Sequence, residues 1–228
     1  MSNKNTIRRR RKKYRTSGLC AVVIGAIALF VMAALVICYL VFGKGKEPVH
    51  KQLPPIDINV KLLEVNPYSR PGIALKKVKG IVVHYTANPG TDAMANRNYF
   101  NNLPRINEKK EKKTYVSSHF VVGIEGEIVQ CIPTSEMSYA SNGRNSDTVS
   151  IECCHKRKNG KFTEQTYQSL VDLTVYLCAK YDLTEQDVIR HYDVTGKNCP
   201  KYFVEHEEAW QRFLSDVAVG ISRLEPVK

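Results

Sequence analysis

Acidic residues are absent from the first 17 positions of the 228-residue chain, although this stretch carries eight Lys and Arg residues. The whole chain has a formal net charge of +12, yet the remainder holds 26 of the 34 basic residues against all 22 acidic ones. Most of the excess positive charge therefore belongs to a short tail. Because a folded nucleic-acid-binding module normally carries its own basic face, this distribution argues against a nucleic-acid partner.

Charges of either sign are absent from the next 25 residues, GLCAVVIGAIALFVMAALVICYLVF at 18–42. A helix that rises about 1.5 Å per residue needs roughly 20 apolar residues to cross a bilayer, so this stretch is long enough to span. It lacks the polar face of a helix packed on a domain, and it is longer than the apolar part of a cleaved signal peptide. The sequence therefore predicts a transmembrane signal-anchor helix at 18–42.

The flanking charges predict the orientation of this helix. The positive-inside rule places residues 1–17 in the cytoplasm as a basic tail, and everything after residue 42 outside the membrane. A topology signal explains the basic tail better than binding to DNA or to anionic lipid does. Residues 43–63 are predicted to form an extracytoplasmic tether and residues 64–228 the domain, and 56–65, across this boundary, can pack as an extended arm.

Segments with strand and helix patterns alternate along this domain. Short β-branched runs indicate strands, a Glu-Gly turn indicates a hairpin, and apolar residues at three- and four-residue spacing indicate amphipathic helices. Thr91 and Thr163 are candidate N-caps, and no internal repeat is visible. The order predicts an α/β domain with a central mixed β-sheet flanked by helices. The predicted strands are 78–86, the two strands of the hairpin in 118–133, 148–154 and 188–192. The predicted helices follow Thr91 and Thr163 and occupy 204–224, and 105–114 is a predicted surface loop.

Cysteines are few, and their number outside the predicted span is odd. Cys20 and Cys38 lie within 18–42, which leaves five external cysteines. An oxidising compartment permits a disulfide, but an odd count means that at least one thiol is free or has another role. The external cysteines are Cys131, Cys153, Cys154, Cys178 and Cys199.

Two histidines and one of these cysteines follow predicted strands. His84 ends the run IVVH, His191 follows VIR, and Cys199 lies eight residues further on. Ligands of α/β sheets gather beyond the carboxyl ends of strands, and two imidazoles with one thiolate suit zinc with an open fourth position. Taken singly, each residue is more often a buried polar histidine or an inert thiol. No local zinc-finger spacing links the two histidines, which are 107 residues apart.

Four segments in this order resemble the zinc-dependent N-acetylmuramoyl-L-alanine amidases of the peptidoglycan-recognition-protein-like (amidase type 2) superfamily, which includes phage lysins and bacterial wall amidases. They are VKGIVVHYTANPG, SSHFVVGIEGEIVQCIP, NSDTVSIECC and IRHYDVTGKNCP, and the similarity extends over roughly 64–217. The resemblance implies hydrolysis of peptidoglycan at the amide between the lactyl group of N-acetylmuramic acid and the L-alanine of the stem peptide. Together with the topology, it predicts a single-pass membrane protein whose catalytic domain faces the cell wall.

The resemblance also implies roles for individual residues. His84, His191 and Cys199 match the three zinc ligands of the family. Lys197 matches a lysine that stabilises the developing oxyanion in several members. Glu152 matches a glutamate that acts as general base in some bacterial members.

His119 and Tyr85 are interpreted as substrate-binding residues. Some phage relatives carry a tyrosine just before the histidine that matches His119, but here the residue is Ser118. This departure puts a tyrosine-assisted mechanism in doubt and favours Glu152 for proton transfer.

The remaining candidates have plainer interpretations. The four external cysteines other than Cys199 are predicted to be core residues or to include one disulfide, with the pairing open, and the remaining histidines, His50, His155 and His206, are interpreted as surface residues. Relatives that lack the full ligand set bind muropeptides without cleaving them, so a non-catalytic binding module is the alternative hypothesis. No pattern predicts an oligomeric state.

Overall fold

The computed structural model describes residues 51–226 together with positions 27, 29–34 and 36–37. The predicted tail at 1–17 and the first part of the tether, 43–50, lie outside the described residues, as does much of the predicted membrane helix at 18–42. The few positions described there are helical. Within the described part of the chain, no helix is both long and apolar enough to cross a membrane.

The compact unit Val49–Lys228 is built on one mixed sheet. Its strands are β1 (Asn59–Val60), β2 (Gly80–Tyr85), β3 (Phe120–Val122), β4 (Ile128–Gln130), β5 (Thr148–Cys153) and β6 (Val188–Arg190). Their spatial order is β1-β4-β3-β5-β2-β6. Neighbouring strands are parallel except for the antiparallel hairpin of β3 and β4. The predicted mixed sheet is confirmed.

Six helices in the described unit surround this sheet. They are α1 (Ala93–Asn101), α2 (Leu103–Glu108), α3 (Glu164–Tyr181), α4 (His191–Thr195), α5 (Lys201–Glu205) and α6 (Glu207–Ser222), with single 3₁₀ turns at Asn142–Arg144 and Glu185–Asp187. Thr163 caps α3 as predicted, since its hydroxyl oxygen accepts the N–H of Thr166 at 3.1 Å. The cap of α1 is Asp92 rather than Thr91, because the Asp92 carboxylate accepts the N–H of Ala95 at 2.6 Å.

Two further segments differ from the sequence prediction. The predicted loop at 105–114 contains part of α2 before its charged, exposed half begins. The predicted final helix is divided into α5 and α6 at His206.

Residues 51–63, assigned to the tether from the sequence, lie against the domain. β1 pairs with the outer side of β4, and beyond it the N–H of Leu63 donates to the carbonyl of Cys131 at 2.8 Å. Leu63 itself is buried. An exposed strand edge presents unpaired backbone groups, and the arm satisfies them, so the folded unit begins before residue 64.

The two faces of the sheet are covered differently. On one face α3 and α6 pack over a core that includes Ile81, Val83 and Phe213. On the other, α1 packs over Val121 and Val129 of the hairpin. Side chains alternate between faces along a strand, so His84 lies on the face opposite the α3–α6 core.

All five cysteines of the described unit are buried and none forms a disulfide. The sequence left open whether the four cysteines other than Cys199 are core residues or include a disulfide. The structure supports the core interpretation. Cys153 and Cys178 lie in the α3–α6 core, and Cys131 and Cys154 lie in the α1 core.

Candidate metal centre and active site

The candidate centre lies where three parallel strands end. β5, β2 and β6 are neighbours, so their carboxyl ends meet at one edge of the sheet. His84 is in register with Glu152, and Val83 is in register with Arg190, the residue before His191. Pairing between strands thus brings together residues that are far apart in the sequence.

His84, His191 and Cys199 form the buried donor cluster that the sequence predicts. Each contributes one ligand atom, and these atoms lie within 4.8 Å of one another. The Nδ1 atom of His84 is 3.8 Å from the Sγ atom of Cys199, and the two imidazole centroids are 4.7 Å apart. Three such donors can hold one metal ion, and two nitrogens with one sulfur suit zinc.

Buried side-chain atoms without a hydrogen-bond partner concentrate at this edge. Among the described residues they are Nδ1 of His191, Oε2 of Glu152, Oγ1 of Thr86 and Nε2 of His155. All four residues follow or end β2, β5 or β6. An unsatisfied buried polar atom costs about 1–3 kcal/mol, so their concentration indicates a place that a ligand completes.

The environment keeps both histidines in the neutral form that binds metals. Burial lowers the pKa of His84 well below its ordinary value, and His191 and Lys197 lower it further. Burial and Lys197 also lower the pKa of His191. Because a histidine binds a metal in its neutral form, neither ring needs to lose a proton before it can bind a metal near neutral pH.

The thiol of Cys199 is held protonated by its surroundings. Burial raises its pKa to about 12 and Glu152 adds to this, whereas the backbone of Tyr85 and the charge of Lys197 act in the opposite direction. Coordination to a cation reverses this balance, since a coordinating thiol is deprotonated.

Glu152 and Lys197, the two predicted catalytic helpers, flank the cluster. Oε1 of Glu152 lies 4.0 Å from Nδ1 of His84. Burial raises the pKa of the Glu152 carboxyl to about 8, and the positive charge of Lys197 counteracts this. Lys197 is exposed in the loop between His191 and Cys199, and its positive charge lowers the pKa of all three donors.

An ion-pair network anchors the helix that begins at His191. Asp193 accepts the backbone N–H of Arg190 at 2.8 Å and pairs with its guanidinium at 2.9 Å. The same guanidinium reaches Glu207 in α6 at 2.7 Å. Gly196, at φ 75, ends the helix in the left-handed region that glycine adopts without strain.

The family is decided by comparison with known proteins. Residues 74–202, more than half of the chain, match the family model described as N-acetylmuramoyl-L-alanine amidase. The chain belongs to the type 2 amidase family. The match contains His84, Glu152, His191, Lys197 and Cys199.

Two curated amidases illustrate the relationship. The chain is 34% identical over 167 residues to N-acetylmuramoyl-L-alanine amidase CwlL of Bacillus licheniformis, covering 68% of this chain and 45% of that protein. It is 33% identical over 181 residues to N-acetylmuramoyl-L-alanine amidase BlyA of Bacillus subtilis (strain 168), covering 70% and 46%. The chain thus spans about half the length of the curated relatives it matches.

Solved structures agree with this placement. A mutant endolysin from Bacillus subtilis is 30% identical with a TM-score of 0.59, and the alignment covers 72% of this chain and 99% of that one. The catalytic domain of XlyA is 27% identical with a TM-score of 0.59, covering 71% and 99%. The sheet and helices described above are therefore the type 2 amidase fold.

His119, predicted to bind substrate, instead lies in the interior and is fully buried. Its Nδ1 accepts the backbone N–H of Ser150 at 3.0 Å, and its Nε2 faces the carbonyl of Glu136 at 2.8 Å. An amide N–H can only donate and a carbonyl can only accept, so the ring is the neutral Nε2–H tautomer. Both ring nitrogens are thus used in internal hydrogen bonds, and a contact of His119 with substrate stays a prediction.

Tyr85 and His155 stack on each other, with ring centroids 5.2 Å apart. Tyr85 is partly exposed at the rim of the α3–α6 core, and its contact with substrate stays a prediction. His155 was interpreted as a surface residue, but it is buried and its Nδ1 lies 2.8 Å from the carbonyl of Arg157.

Sequence reasoning missed two residues that contact the histidines of the centre. Oγ of Ser141 lies 3.3 Å from Nε2 of His84, and Oδ1 of Asn142 lies 2.9 Å from Nε2 of His191. The Asn-Gly pair at 142–143 is a turn signal. Nothing in the local pattern indicates that its side chains face two histidines from other strands.

Acid is expected to destabilise the fold through His119. Burial lowers the pKa of its imidazole from 6.5 to about 4, so the unfolded chain binds a proton more readily between these pH values. The free energy of unfolding should therefore fall as the pH decreases from 6.5 to 4, by up to about 3 kcal/mol from this group. Above pH 6.5 this group should contribute no pH dependence.

Urea denaturation between pH 7 and pH 4.5 measures this effect. His119→Gln should be less stable at pH 7 by about 1–3 kcal/mol, because a buried partner loses its hydrogen bond, and its stability should vary less with pH. His206→Gln, at a partly exposed histidine, serves as the control and should keep the wild-type slope. Equal slopes for wild type and His119→Gln would contradict the assignment.

Proposed function

We propose that the chain is a zinc-dependent N-acetylmuramoyl-L-alanine amidase that hydrolyses peptidoglycan at the bond between N-acetylmuramic acid and the L-alanine of the stem peptide. The observation that carries this proposal is the buried cluster of His84, His191 and Cys199, with Glu152 beside it at the carboxyl ends of three parallel strands. Membership of the family and the amidase names of its relatives supply the reaction.

Zinc fits the three donors. Two imidazoles and one thiolate leave a fourth tetrahedral position open, which is the pattern of catalytic rather than structural zinc sites. Nδ1 of His191 is buried without a hydrogen-bond partner in the described part of the chain, as expected of a ligand atom. When bound, a zinc ion supplies Lewis acidity, which makes an amide carbonyl a better electrophile and water a better nucleophile near neutral pH.

Glu152 is the proposed proton carrier. Hydrolysis joins the water oxygen to the carbonyl carbon and breaks the carbon–nitrogen bond, so one proton leaves the water and one reaches the departing amine of L-alanine. Oε2 of Glu152 is buried and has no partner among the described residues, which leaves it available for this transfer. Burial raises the pKa of its carboxyl to about 8 against the opposing charge of Lys197, and a cation held by the three donors would lower it toward neutrality, where a group that first accepts and then donates a proton works best.

Lys197 is the proposed oxyanion stabiliser. Its positive charge lowers the pKa of His84, His191, Glu152 and Cys199, which supports a role for this charge at the cluster. From the exposed loop its ammonium group can donate a hydrogen bond to the carbonyl oxygen as negative charge develops there. A fixed donor of this kind typically contributes about 2.7–4 kcal/mol to the transition state.

Amidase activity is tested directly by identifying the product of the reaction. The full-length chain should release stem peptides with a new N-terminal L-alanine from purified peptidoglycan, and chelation should stop the release until zinc is restored. Binding to peptidoglycan without cleavage at any zinc concentration would favour the non-catalytic binding module. Binding to nucleic acid with a steep salt dependence would favour the basic-tail hypothesis instead.

Substitutions separate the two helpers from the zinc ligands. Glu152→Gln should lower kcat by about 10²–10⁴-fold, and Lys197→Ala should lower it by about 10²–10³-fold. Zinc content should remain in both, because neither side chain is a proposed ligand. The matched controls Glu111→Gln and Lys112→Ala, in the exposed charged loop, should retain activity. Near-wild-type kcat in a zinc-loaded Glu152→Gln or Lys197→Ala protein would refute the assigned role.

The sequence also supports a location. We propose that residues 18–42 anchor the protein in the cell membrane, with 1–17 in the cytoplasm and the amidase domain facing the cell wall. The support is the run of 25 uncharged residues that follows a tail of eight basic ones. The full-length chain should remain in the membrane fraction after alkaline carbonate washing, whereas a chain without residues 1–42 should not. Recovery of the full-length chain in the soluble fraction would contradict the anchor.

A further inference from the structure

One turn contacts both histidines of the metal centre. The hydroxyl oxygen of Ser141 lies 3.3 Å from Nε2 of His84, and the side-chain oxygen of Asn142 lies 2.9 Å from Nε2 of His191. Two adjacent residues thus contact the equivalent nitrogen, Nε2, of two rings that come from different elements. Neither residue was a candidate on sequence grounds.

The opposite nitrogens of the two rings are the ones available to a metal. Nδ1 of His84 lies 3.8 Å from the sulfur of Cys199, and Nδ1 of His191 is buried without a partner within the described range. The amide oxygen of Asn142 can only accept a hydrogen bond, so Nε2 of His191 carries the proton. Its Nδ1 therefore keeps the lone pair that binds a cation.

The backbone of this turn is held by its own hydrogen bonds. Oδ1 of Asn145 accepts the N–H groups of both Ala140 and Ser141, at 3.1 and 2.6 Å. The N–H of Asn145 donates to the carbonyl of Asn142 at 3.1 Å. Asn142 has φ 50, in the left-handed region that asparagine tolerates better than most residues. The side chains of Ser141 and Asn142 are therefore aimed by a turn that does not depend on the histidines.

We infer that Ser141 and Asn142 are positioning residues that fix the ring orientation of His84 and His191 through Nε2, and that Asn142 also fixes the Nε2–H tautomer of His191, so that both rings present Nδ1 to zinc. The inference rests on the proposed zinc site and extends it to residues that would not touch the metal. A hydrogen bond to the far nitrogen of a ligand histidine orients the ring and raises its basicity. The shorter contact, made by Asn142, should have the larger effect.

Removing the Asn142 side chain tests this inference. Asn142→Gly deletes the acceptor at a backbone position that glycine adopts freely. Zinc affinity of the full-length chain, measured without substrate by competition with a chromogenic chelator, should fall about 10–100-fold. Ser141→Ala should cause a smaller loss, and Asn142→Asp, which keeps an acceptor oxygen, should retain most of the affinity.

Imidazole ¹⁵N NMR supplies a readout that a general structural defect would not change. In wild type, the His191 ring should show a protonated Nε2 and an unprotonated Nδ1 at neutral pH. In Asn142→Gly, it should show a mixture of tautomers without zinc. If Asn142→Gly does not fold, the affinity and the His84 signals of Ser141→Ala decide the question.

Gly143→Ala is the matched control in the same turn, because an added Cβ there meets nothing within 4 Å. It should retain both the zinc affinity and the tautomer. Unchanged affinity and an unchanged His191 pattern in Asn142→Gly would overturn the positioning role while leaving the amidase proposal intact. Failure of the wild-type chain to bind zinc would instead refute the proposed metal centre.

Discussion

The pairing of β2 with β5 on one side and with β6 on the other governs the rest of the site. Because the three strands are parallel, their last residues reach the same edge, and the register puts His84 beside Glu152. A shift of one residue would turn His84 toward the α3–α6 core. The apolar positions of β2, including Ile81 and Val83, hold the register because they are fully buried. The hydrophobic core therefore positions the polar centre.

Concentrating polar groups at this edge costs stability, and the structure offsets that cost only in part. Outer partners satisfy one nitrogen of each histidine, while Nδ1 of His191 and Oε2 of Glu152 remain unpaired among the described residues. Burial lowers the pKa of both histidines and raises that of Glu152. These are the consequences expected where residues are arranged for a ligand rather than for stability. His119 shows the contrast, because a buried histidine with both nitrogens paired belongs to the framework.

Local signals in the sequence predicted much of the fold. The β-branched run at β2, the hairpin turn between β3 and β4 and the Thr163 cap of α3 are each encoded within a few residues. The prediction of Thr91 as a cap was wrong because the adjacent Asp92 can cap a helix equally well. The sequence allowed 56–65 to pack as an extended arm, but it did not predict that β1 within this arm pairs with β4. In both cases the deciding hydrogen bond depends on geometry that no short pattern contains.

By itself the sequence determined the family, the donor types and the order of the motifs, because these depend on residue identity along the chain. Only the tertiary structure decided which polar residues share the site. It buried His119 with both ring nitrogens hydrogen-bonded to other groups, placed Glu152 beside the donors and brought Ser141 and Asn142 to the two histidines. The physical reason is that exposure, tautomer and hydrogen-bond partner are set by groups packed across the sheet, and those groups come from segments that are distant in the chain.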